Sequence, residues 1–292
     1  MRKIAIVGFK GGIGKTTTCV SLGAALALRG HKTLLIDTDT QANLGVALGI
    51  PQPKKTLADV LIKKAKAQDV IISARNNLDL LPSSLALFKA QQRIVFEMAR
   101  EEIFEEIFGD IEGYEYLIID CAPSLSLLTV NSIVYADDIF IPVSMEMLAL
   151  TGAEQFIEYL KEVARIMGRG ADIRLIIPTM YDTRRRVSEK VMHLLEKMGP
   201  RVTSPIRIDT MLSEAPGEGQ TIYEYAPRSR GAIDYAHLAE IVAKLPPIEQ
   251  TPVTNQNQKK PGNGVQVEEG LNDTHYLNSQ PEGWSGQNYH HN

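Results

Sequence analysis

Apolar residues in this chain fall into short unbroken runs that are separated by longer stretches with a helical spacing of apolar positions. Short continuous apolar runs are typical of strands that are buried on both faces of a parallel sheet. Such runs predict six strands, at residues 4–9, 33–36, 78–81, 116–119, 138–142 and 173–177. Helical patterns cover residues 16–29, 56–65, 84–107, 126–135, 150–168, 186–198 and 231–244. The alternation predicts an α/β fold with a doubly wound, mostly parallel sheet flanked by helices and ligands at the carboxyl ends of its strands.

The character of the sequence changes after Pro246. Residues 247–292 are rich in Asn, Gln, Gly, Pro and Thr and have almost no apolar periodicity. A segment with so little apolar surface to bury is expected to stay disordered. We therefore predict one folded domain over residues 1–246 and a disordered polar tail over residues 247–292.

Composition and charge exclude several classes of protein. The net charge of −4 argues against a generally basic nucleic-acid binder, and no apolar run reaches the roughly 20 residues that a membrane span needs. Cys19 and Cys121 lie in apolar patterns and are expected to pack as small hydrophobic residues in a reducing cytosol. The chain begins directly with a predicted strand, so we expect no signal peptide and a cytoplasmic protein.

The most informative segment is the glycine-rich loop at residues 8–18, Gly-Phe-Lys-Gly-Gly-Ile-Gly-Lys-Thr-Thr-Thr. It joins the first predicted strand to the first helix, where backbone N–H groups and the helix N-terminus favour a phosphate. Lys15 can reach the β- and γ-phosphates, and the Thr16 hydroxyl can bind Mg²⁺. The alternative is a tight turn without a ligand, which the fixed glycines and the lysine disfavour. Phe9 stands where the ordinary pattern has glycine, and Lys10 is an additional lysine.

The pattern Lys-Gly-Gly-x-Gly-Lys-Thr-Thr resembles the deviant Walker A motif of the ParA/MinD family of ATPases. From the residues alone, Lys10 has two possible uses, solvation at the surface or binding of an additional phosphate. The resemblance implies that Lys10 reaches the nucleotide of a second subunit, where it would act as an arginine finger does. It implies catalytic roles for Lys10, Lys15 and Asp39 in the hydrolysis of ATP to ADP and phosphate. The implied ATP-binding residues are Lys10, Gly11, Gly12, Ile13, Gly14, Lys15, Thr16, Thr17 and Met180.

Carboxylates follow two further strands. Asp37 and Asp39 come at the end of the second strand, and they are either turn or capping residues or part of the phosphate site. The resemblance implies that Asp39 positions the attacking water close to the Mg²⁺, although Thr40 replaces the proline that is usual in the family. Asp120 ends the fourth predicted strand and would hold Mg²⁺ together with Thr16, through a water in the case of Asp120. We expect three strands to deliver Lys15, Asp39 and Asp120 to one edge of the sheet.

Other blocks extend the resemblance to partition ATPases over residues 2–245. Residues 212–216 (Leu-Ser-Glu-Ala-Pro) and 226–232 are implied to lie near a dimer interface and the base pocket. Residues 177–182 resemble the segment that contacts adenine, which is the basis for assigning Met180 to the nucleotide.

A basic cluster at the start of a predicted helix is the candidate DNA surface. Three arginines in a first helical turn oppose the helix dipole, which phosphate binding would explain. The alternative is a solvated face paired with local acids. Arg207 is a further candidate, since many relatives carry an arginine where this chain has Met211. The candidate DNA contacts are Arg184, Arg185, Arg186, Lys190 and Arg207.

The resemblance implies a nucleoid-associated switch that uses ATP and Mg²⁺, dimerises with ATP and binds DNA without sequence specificity. A ParB-like protein bound to the cargo would stimulate hydrolysis. The cargo, whether a plasmid, a chromosome or a protein assembly, stays open. A MinD-like membrane-surface ATPase is the alternative; it needs a terminal amphipathic helix, which the tail lacks. A metabolic ATPase of the same superfamily is disfavoured because an iron–sulfur ligand set is missing.

Overall fold

The fold was analysed in a computed structural model that describes residues 1–168 and 171–246. The described residues belong to one structural unit, Met1–Thr251. The predicted tail at residues 247–292 lies outside the described residues.

A single eight-stranded sheet forms the centre of the described part of the chain. Its order is β3-β4-β2-β5-β1-β6-β7-β8, and the β3–β4 pair is antiparallel whereas the other pairs are parallel. The strands are β1 (Arg2–Ile6), β2 (Thr33–Asp37), β3 (Ile72–Arg75), β4 (Leu78–Leu81), β5 (Tyr116–Asp120), β6 (Asp138–Ser144), β7 (Asp172–Thr179) and β8 (Arg201–Val202). The mostly parallel α/β sheet predicted from the sequence is confirmed.

Helices connect the parallel strands. They are α1 (Lys15–Leu28), α2 (Asn43–Ala47), α3 (Leu57–Leu61), α4 (Ala86–Ile94), α5 (Ile103–Phe108), α6 (Leu127–Tyr135), α7 (Met147–Met167), α8 (Arg186–Leu195), α9 (Met211–Glu214), α10 (Ile222–Tyr225) and α11 (Arg230–Ala243).

Several elements differ from the prediction, and the short helices α2, α9 and α10 were not predicted. The first strand ends at Ile6, so residues 7–9 belong to the glycine-rich loop. The helix predicted over residues 84–107 is wrong, because it is broken into α4 and α5, with Ala99 at a left-handed φ of 52° between them. Strands β3 and β8 were missed. Both lie at edges of the sheet, where one side of the strand has no neighbour and an apolar run is not required.

The central strands are buried on both faces. Alternate residues of β1 point to opposite sides, with Ile4 and Ile6 in one apolar cluster and Ala5 and Val7 in the other. Strand β2 behaves in the same way, with Leu35 on one side and Leu34 and Ile36 on the other. Because a sliding strand would disturb two packed layers, the carboxyl ends of the central strands have fixed relative positions.

Candidate nucleotide site

The glycine-rich loop leaves β1 and turns sharply into α1. Gly12 and Gly14 have φ values of 75° and 91°, a left-handed conformation that glycine adopts without strain. Gly14 precedes the first residue of α1, so the loop places the unpaired N–H groups of the helix at the edge of the sheet. The Thr179 hydroxyl at the end of β7 donates a hydrogen bond of 2.9 Å to the carbonyl oxygen of Ile13. The turn into α1 and the hydrogen bond from Thr179 thus both fix the conformation of the loop.

Lys15 is the first residue of α1, and its side chain is buried in the loop. Its Nζ donates a hydrogen bond of 3.2 Å to the carbonyl oxygen of Lys10. Burial lowers the pKa of Lys15, and the negative charge of Asp120 acts in the opposite direction. A buried ammonium with an incomplete set of acceptors is suited to bind phosphate oxygens.

Thr16, in the first turn of α1, lies beside Asp120, the last residue of β5. The Thr16 Oγ1 donates a hydrogen bond of 2.6 Å to Asp120 Oδ2, whereas Asp120 Oδ1 is buried and has no hydrogen-bond partner. Burial raises the pKa of Asp120 to about 6, while the hydrogen bond from Thr16 and the charge of Lys15 oppose the shift. An unpaired carboxylate oxygen beside a hydroxyl fits Mg²⁺, which prefers oxygen ligands.

The two aspartates after β2 have different surroundings. Asp37 is fully buried, and its carboxylate accepts hydrogen bonds from the N–H of Asp39 at 2.9 Å and of Leu44 at 3.1 Å. Burial and the nearby charge of Asp120 raise the pKa of Asp37. Asp39 is partly exposed, and its Oδ1 accepts a hydrogen bond of 3.0 Å from the N–H of Gln41. Asp37 therefore has the capping role, and Asp39 is the carboxylate that solvent can reach.

Lys10 forms an ion pair with a carboxylate of its own chain. Its Nζ lies 3.0 Å from Glu146 Oε2, and about half of each side chain is exposed, 50% for Lys10 and 53% for Glu146. An exposed ion pair of this kind contributes little to stability, about 0–1 kcal/mol. Lys10 is therefore free to exchange Glu146 for a phosphate at small cost.

A cavity of about 330 Å³ opens beside the loop and is lined by Gly14 and Thr17 on one side. Met180 lies at its mouth with a left-handed φ of 56°, an uncommon conformation for a non-glycine residue. The Met180 side chain is 42% exposed. The contact of Met180 with adenine stays a prediction, and Met180 lines this cavity beside the loop.

Comparison with known proteins identifies the family. The sequence model of the family "AAA domain" matches residues 1–171. The chain is 37% identical over 246 residues to the sporulation initiation inhibitor protein Soj of Bacillus subtilis, an alignment that covers 82% of this chain and 97% of Soj. It is 34% identical over 256 residues to the chromosome partitioning protein ParA of Caulobacter vibrioides, with 84% of this chain and 95% of that protein covered.

The chain belongs to the ParA/Soj family of partition ATPases. It is a P-loop ATPase. Among solved structures, cobyrinic acid a,c-diamide synthase from Mycobacterium smegmatis with a bound ATP analogue and magnesium superposes with a TM-score of 0.73. The two sequences are 28% identical, and the superposition covers 83% of this chain and 94% of the synthase. Structural relatives of this ParA/Soj ATPase thus bind adenine nucleotides together with magnesium.

The structure brings the predicted nucleotide residues of this family member to one edge of the sheet. Lys15, Asp39 and Asp120 follow β1, β2 and β5, and these three strands are neighbours in the order β2-β5-β1. Within the described residues, no group of three or more His, Cys, Asp or Glu side chains could hold a metal ion. A Mg²⁺ at Thr16 and Asp120 would consequently depend on phosphate and water oxygens for its other ligands.

The predicted DNA residues are arranged differently from the expectation. Arg184 precedes α8 and pairs with Asp182 at 3.0 Å, and Arg185 is the N-cap residue, so of the three arginines only Arg186 lies inside the helix. The prediction that all three lie in the first turn is wrong. Arg184, Arg185, Arg186 and Lys190 are all exposed. Arg207 lies elsewhere, against Asp234.

Sequence reasoning missed Thr179 and Glu146. Thr179 ends a parallel strand at the ligand edge of the sheet, a position that could have marked it. Glu146 precedes α7, and nothing in the sequence indicates that it meets Lys10. In the described part of the chain, no helix has the length and apolar character that crossing a membrane requires.

Proposed function

We propose that this partition ATPase is an ATP-dependent switch that dimerises, binds DNA without sequence specificity and moves or positions a cargo. The observation that carries the proposal is the position of Lys10. Lys15 is buried in the loop of its own chain, whereas the Lys10 side chain is half exposed and, within the described residues, is ion-paired only with the exposed carboxylate of Glu146. The phosphate-binding loop already contains the ammonium group of Lys15. The second ammonium group, that of Lys10, is therefore best used on the nucleotide of another subunit.

The bound nucleotide would then control assembly. The loop residues 10–17 would hold ATP, with Lys15 on its phosphates, and Lys10 would neutralise charge that develops on the phosphates of the facing subunit. Two such contacts form only when two ATP-bound subunits meet. Dimerisation would therefore follow the presence of the γ-phosphate.

Hydrolysis would need a cation and an oriented water. Thr16 and Asp120 would hold Mg²⁺, which supplies charge neutralisation on the phosphates. Asp39, partly exposed at the same edge of the sheet, would orient the water that attacks the γ-phosphate. The fully buried Asp37 holds the backbone of this segment through the N–H groups of Asp39 and Leu44, so the position of Asp39 is fixed by β2.

The DNA surface would consist mainly of Arg185, Arg186 and Lys190. These exposed side chains form no ion pair among the described residues, although the charge of Arg185 also acts on Asp182, whereas Arg184 and Arg207 are ion-paired. A dimer presents the patch twice, so the affinity for DNA rises with dimerisation without a change of fold. Hydrolysis, stimulated by a ParB-like protein on the cargo, would release the DNA. The folded unit for these steps is the ATPase domain at residues 1–246, located on the nucleoid.

Co-sedimentation with DNA of mixed sequence tests the proposal. We expect the full chain to pellet with DNA in the presence of ATP and Mg²⁺, and to remain in the supernatant with ADP. Sedimentation velocity should show a dimer with ATP only. Lys10→Ala should abolish both effects, whereas Lys64→Ala, which removes an exposed lysine remote from the loop in sequence, should leave both unchanged.

Two results would contradict the proposal. A monomer in saturating ATP would remove the role of Lys10. Sedimentation with vesicles of anionic phospholipid, but not with DNA, would favour the membrane-surface alternative.

A further inference from the structure

The wall of the cavity beside the loop is held by an ion pair between Arg207 and Asp234. We propose that Arg207 positions the wall of the adenine cavity through Asp234, and that it is not a DNA contact. This inference rests on the proposed function in one respect, that the nucleotide bound to the loop places its base in this cavity.

The Asp234 carboxylate forms hydrogen bonds with both the backbone and the side chain of Arg207. The carboxylate accepts the Arg207 backbone N–H at 2.9 Å, and it accepts guanidinium N–H groups from Nε at 3.0 Å and from Nη2 at 2.7 Å. The Asp234 side chain is 12% exposed. The Arg207 side chain is 38% exposed, so solvent weakens the electrostatic part of the pair, whereas the bidentate geometry still fixes the orientation of the arginine.

The contact crosses between two parts of the fold. Arg207 lies after β8, in the segment that runs to α9, whereas Asp234 lies in α11. A second bond joins the same two parts, because the N–H of Gly231 in α11 donates to Asp209 Oδ2 at 2.8 Å. Residues 207 and 209 are therefore both fastened to the first turns of α11.

Helix α11, which contacts residues 207–209 of the cavity wall, also contacts α1, the helix that follows the glycine-rich loop. Tyr235, next to Asp234, is fully buried, and its hydroxyl lies 3.0 Å from Thr18 Oγ1 in α1. Two consecutive residues of α11 thus contact two segments that line the cavity, residues 207–209 through Asp234 and helix α1, which carries Thr17, through Tyr235.

The cavity has the shape and chemistry that a purine base needs. It adjoins Gly14 and Thr17 of the loop, and its volume of about 330 Å³ is in the range of small-molecule sites. Its apolar lining is contributed by Met180, Ile206, Ile208 and Leu212. A flat ring can pack between such side chains, and a methionine sulfur makes favourable contacts with aromatic rings.

The same ion pair weakens the case for Arg207 as a phosphate contact. Its charge is already balanced by Asp234, and a DNA phosphate would have to displace that carboxylate. Arg185 and Arg186 carry no such partner within residues 1–168 and 171–246, so they are better suited to a polyanion.

The test compares ligands with and without a base. In Arg207→Ala we expect the affinity for ATP to fall about tenfold, as loss of a charge-assisted pair can produce. Affinity for inorganic tripolyphosphate, which has the phosphates but no base, should stay within about twofold, because the loop is unchanged. DNA affinity at saturating ATP should also stay unchanged. The matched control is Arg165→Ala, which removes an arginine that is also bonded twice to a carboxylate, that of Glu162, but that does not line the cavity; it should leave all three affinities unchanged.

The outcomes distinguish the alternatives. Equal losses of ATP and tripolyphosphate affinity would overturn the inference in favour of general destabilisation, and lower DNA affinity with unchanged ATP affinity would overturn it in favour of a DNA contact. If Arg207→Ala does not fold, Asp234→Asn, which keeps the shape of the side chain, should give the same pattern with a smaller loss. A wild type that binds ATP in its base cavity but stays monomeric would contradict the proposed function and leave this inference standing.

Discussion

Lys10 Nζ lies 3.0 Å from Glu146 Oε2, so the lysine that marks the ParA/Soj loop is bound to a carboxylate of its own chain. Glu146 therefore competes with any phosphate that Lys10 could bind. We expect Glu146→Gln to strengthen the ATP-dependent dimer about two- to fivefold, because an exposed pair is worth up to about 1 kcal/mol. Sedimentation equilibrium with ATP measures the change. Glu158→Gln, on the exposed side of α7, should leave dimerisation as it is, and a weaker dimer in Glu146→Gln would contradict the competition.

Lys15 should determine nucleotide binding. We expect Lys15→Ala to lower ATP affinity about a hundredfold, since hydrogen bonds from a charged donor to the phosphates are lost. Isothermal titration calorimetry on the monomer measures this. Lys10→Ala serves as the control, because its side chain leaves the cradle of its own subunit. ATP affinity that survives in Lys15→Ala would place the nucleotide elsewhere.

Asp39 should act after ATP has bound. Asp39→Ala should slow hydrolysis at least about a hundredfold, within the range for loss of a catalytic acid–base group, and the ATP-bound dimer should persist. Phosphate release and sedimentation velocity measure the two effects. Asp110→Ala, an exposed aspartate far from the loop in sequence, should hydrolyse ATP at the normal rate. A variant that stays monomeric with ATP would refute a role limited to the attacking water.

The buried carboxylate of Asp120 should lower the free energy of unfolding of the ligand-free protein. Its carboxylate is buried, one oxygen has no partner, and burial raises its pKa to about 6. Asp120→Asn removes the buried charge, so we expect a higher thermal midpoint without ligands and loss of the Mg²⁺ dependence of ATP binding. Thermal unfolding with and without Mg²⁺-ATP measures both. A lower midpoint in the ligand-free variant would show that the carboxylate stabilises the fold.

The DNA patch should respond to charge reversal. Changing Arg184, Arg185 and Arg186 to Glu should weaken DNA binding equally for all sequences. The salt dependence of log affinity should become less steep by about 0.9 for each lost phosphate contact. Fluorescence anisotropy over a range of salt concentrations measures the slope. Reversing Lys161 and Arg165 on α7 is the control, and unchanged affinity at low salt in the arginine variant would move the surface elsewhere.

The sequence was sufficient for the features that are local along the chain. Continuous apolar runs marked the six interior and near-interior parallel strands, because burial on both faces leaves few polar positions in them. The glycines and lysine of residues 8–18 marked the cradle, and the end of each strand marked Asp39 and Asp120. These residues share an edge of the sheet, which follows from parallel strands alone.

The features that sequence could not predict depend on distant pairs. Arg207 and Asp234 are 27 residues apart, and neither residue type indicates that they meet. Glu146 reaches Lys10 across 136 residues. The edge strands β3 and β8 are short, and β3 has polar residues because one side is open. In each case the partner is fixed by packing of the whole fold.

The adjacency of Asp234 and Tyr235 makes the rotation of α11 a property of the nucleotide site. One residue corresponds to a turn of about 100° around a helix, so a residue inserted or deleted between Gly231 and Asp234 would turn both side chains away from their partners relative to the start of α11. A point substitution at Asp234 or Tyr235 removes one of the two contacts, whereas a change of helical register removes both. Length variation among close relatives should therefore avoid the first turns of α11.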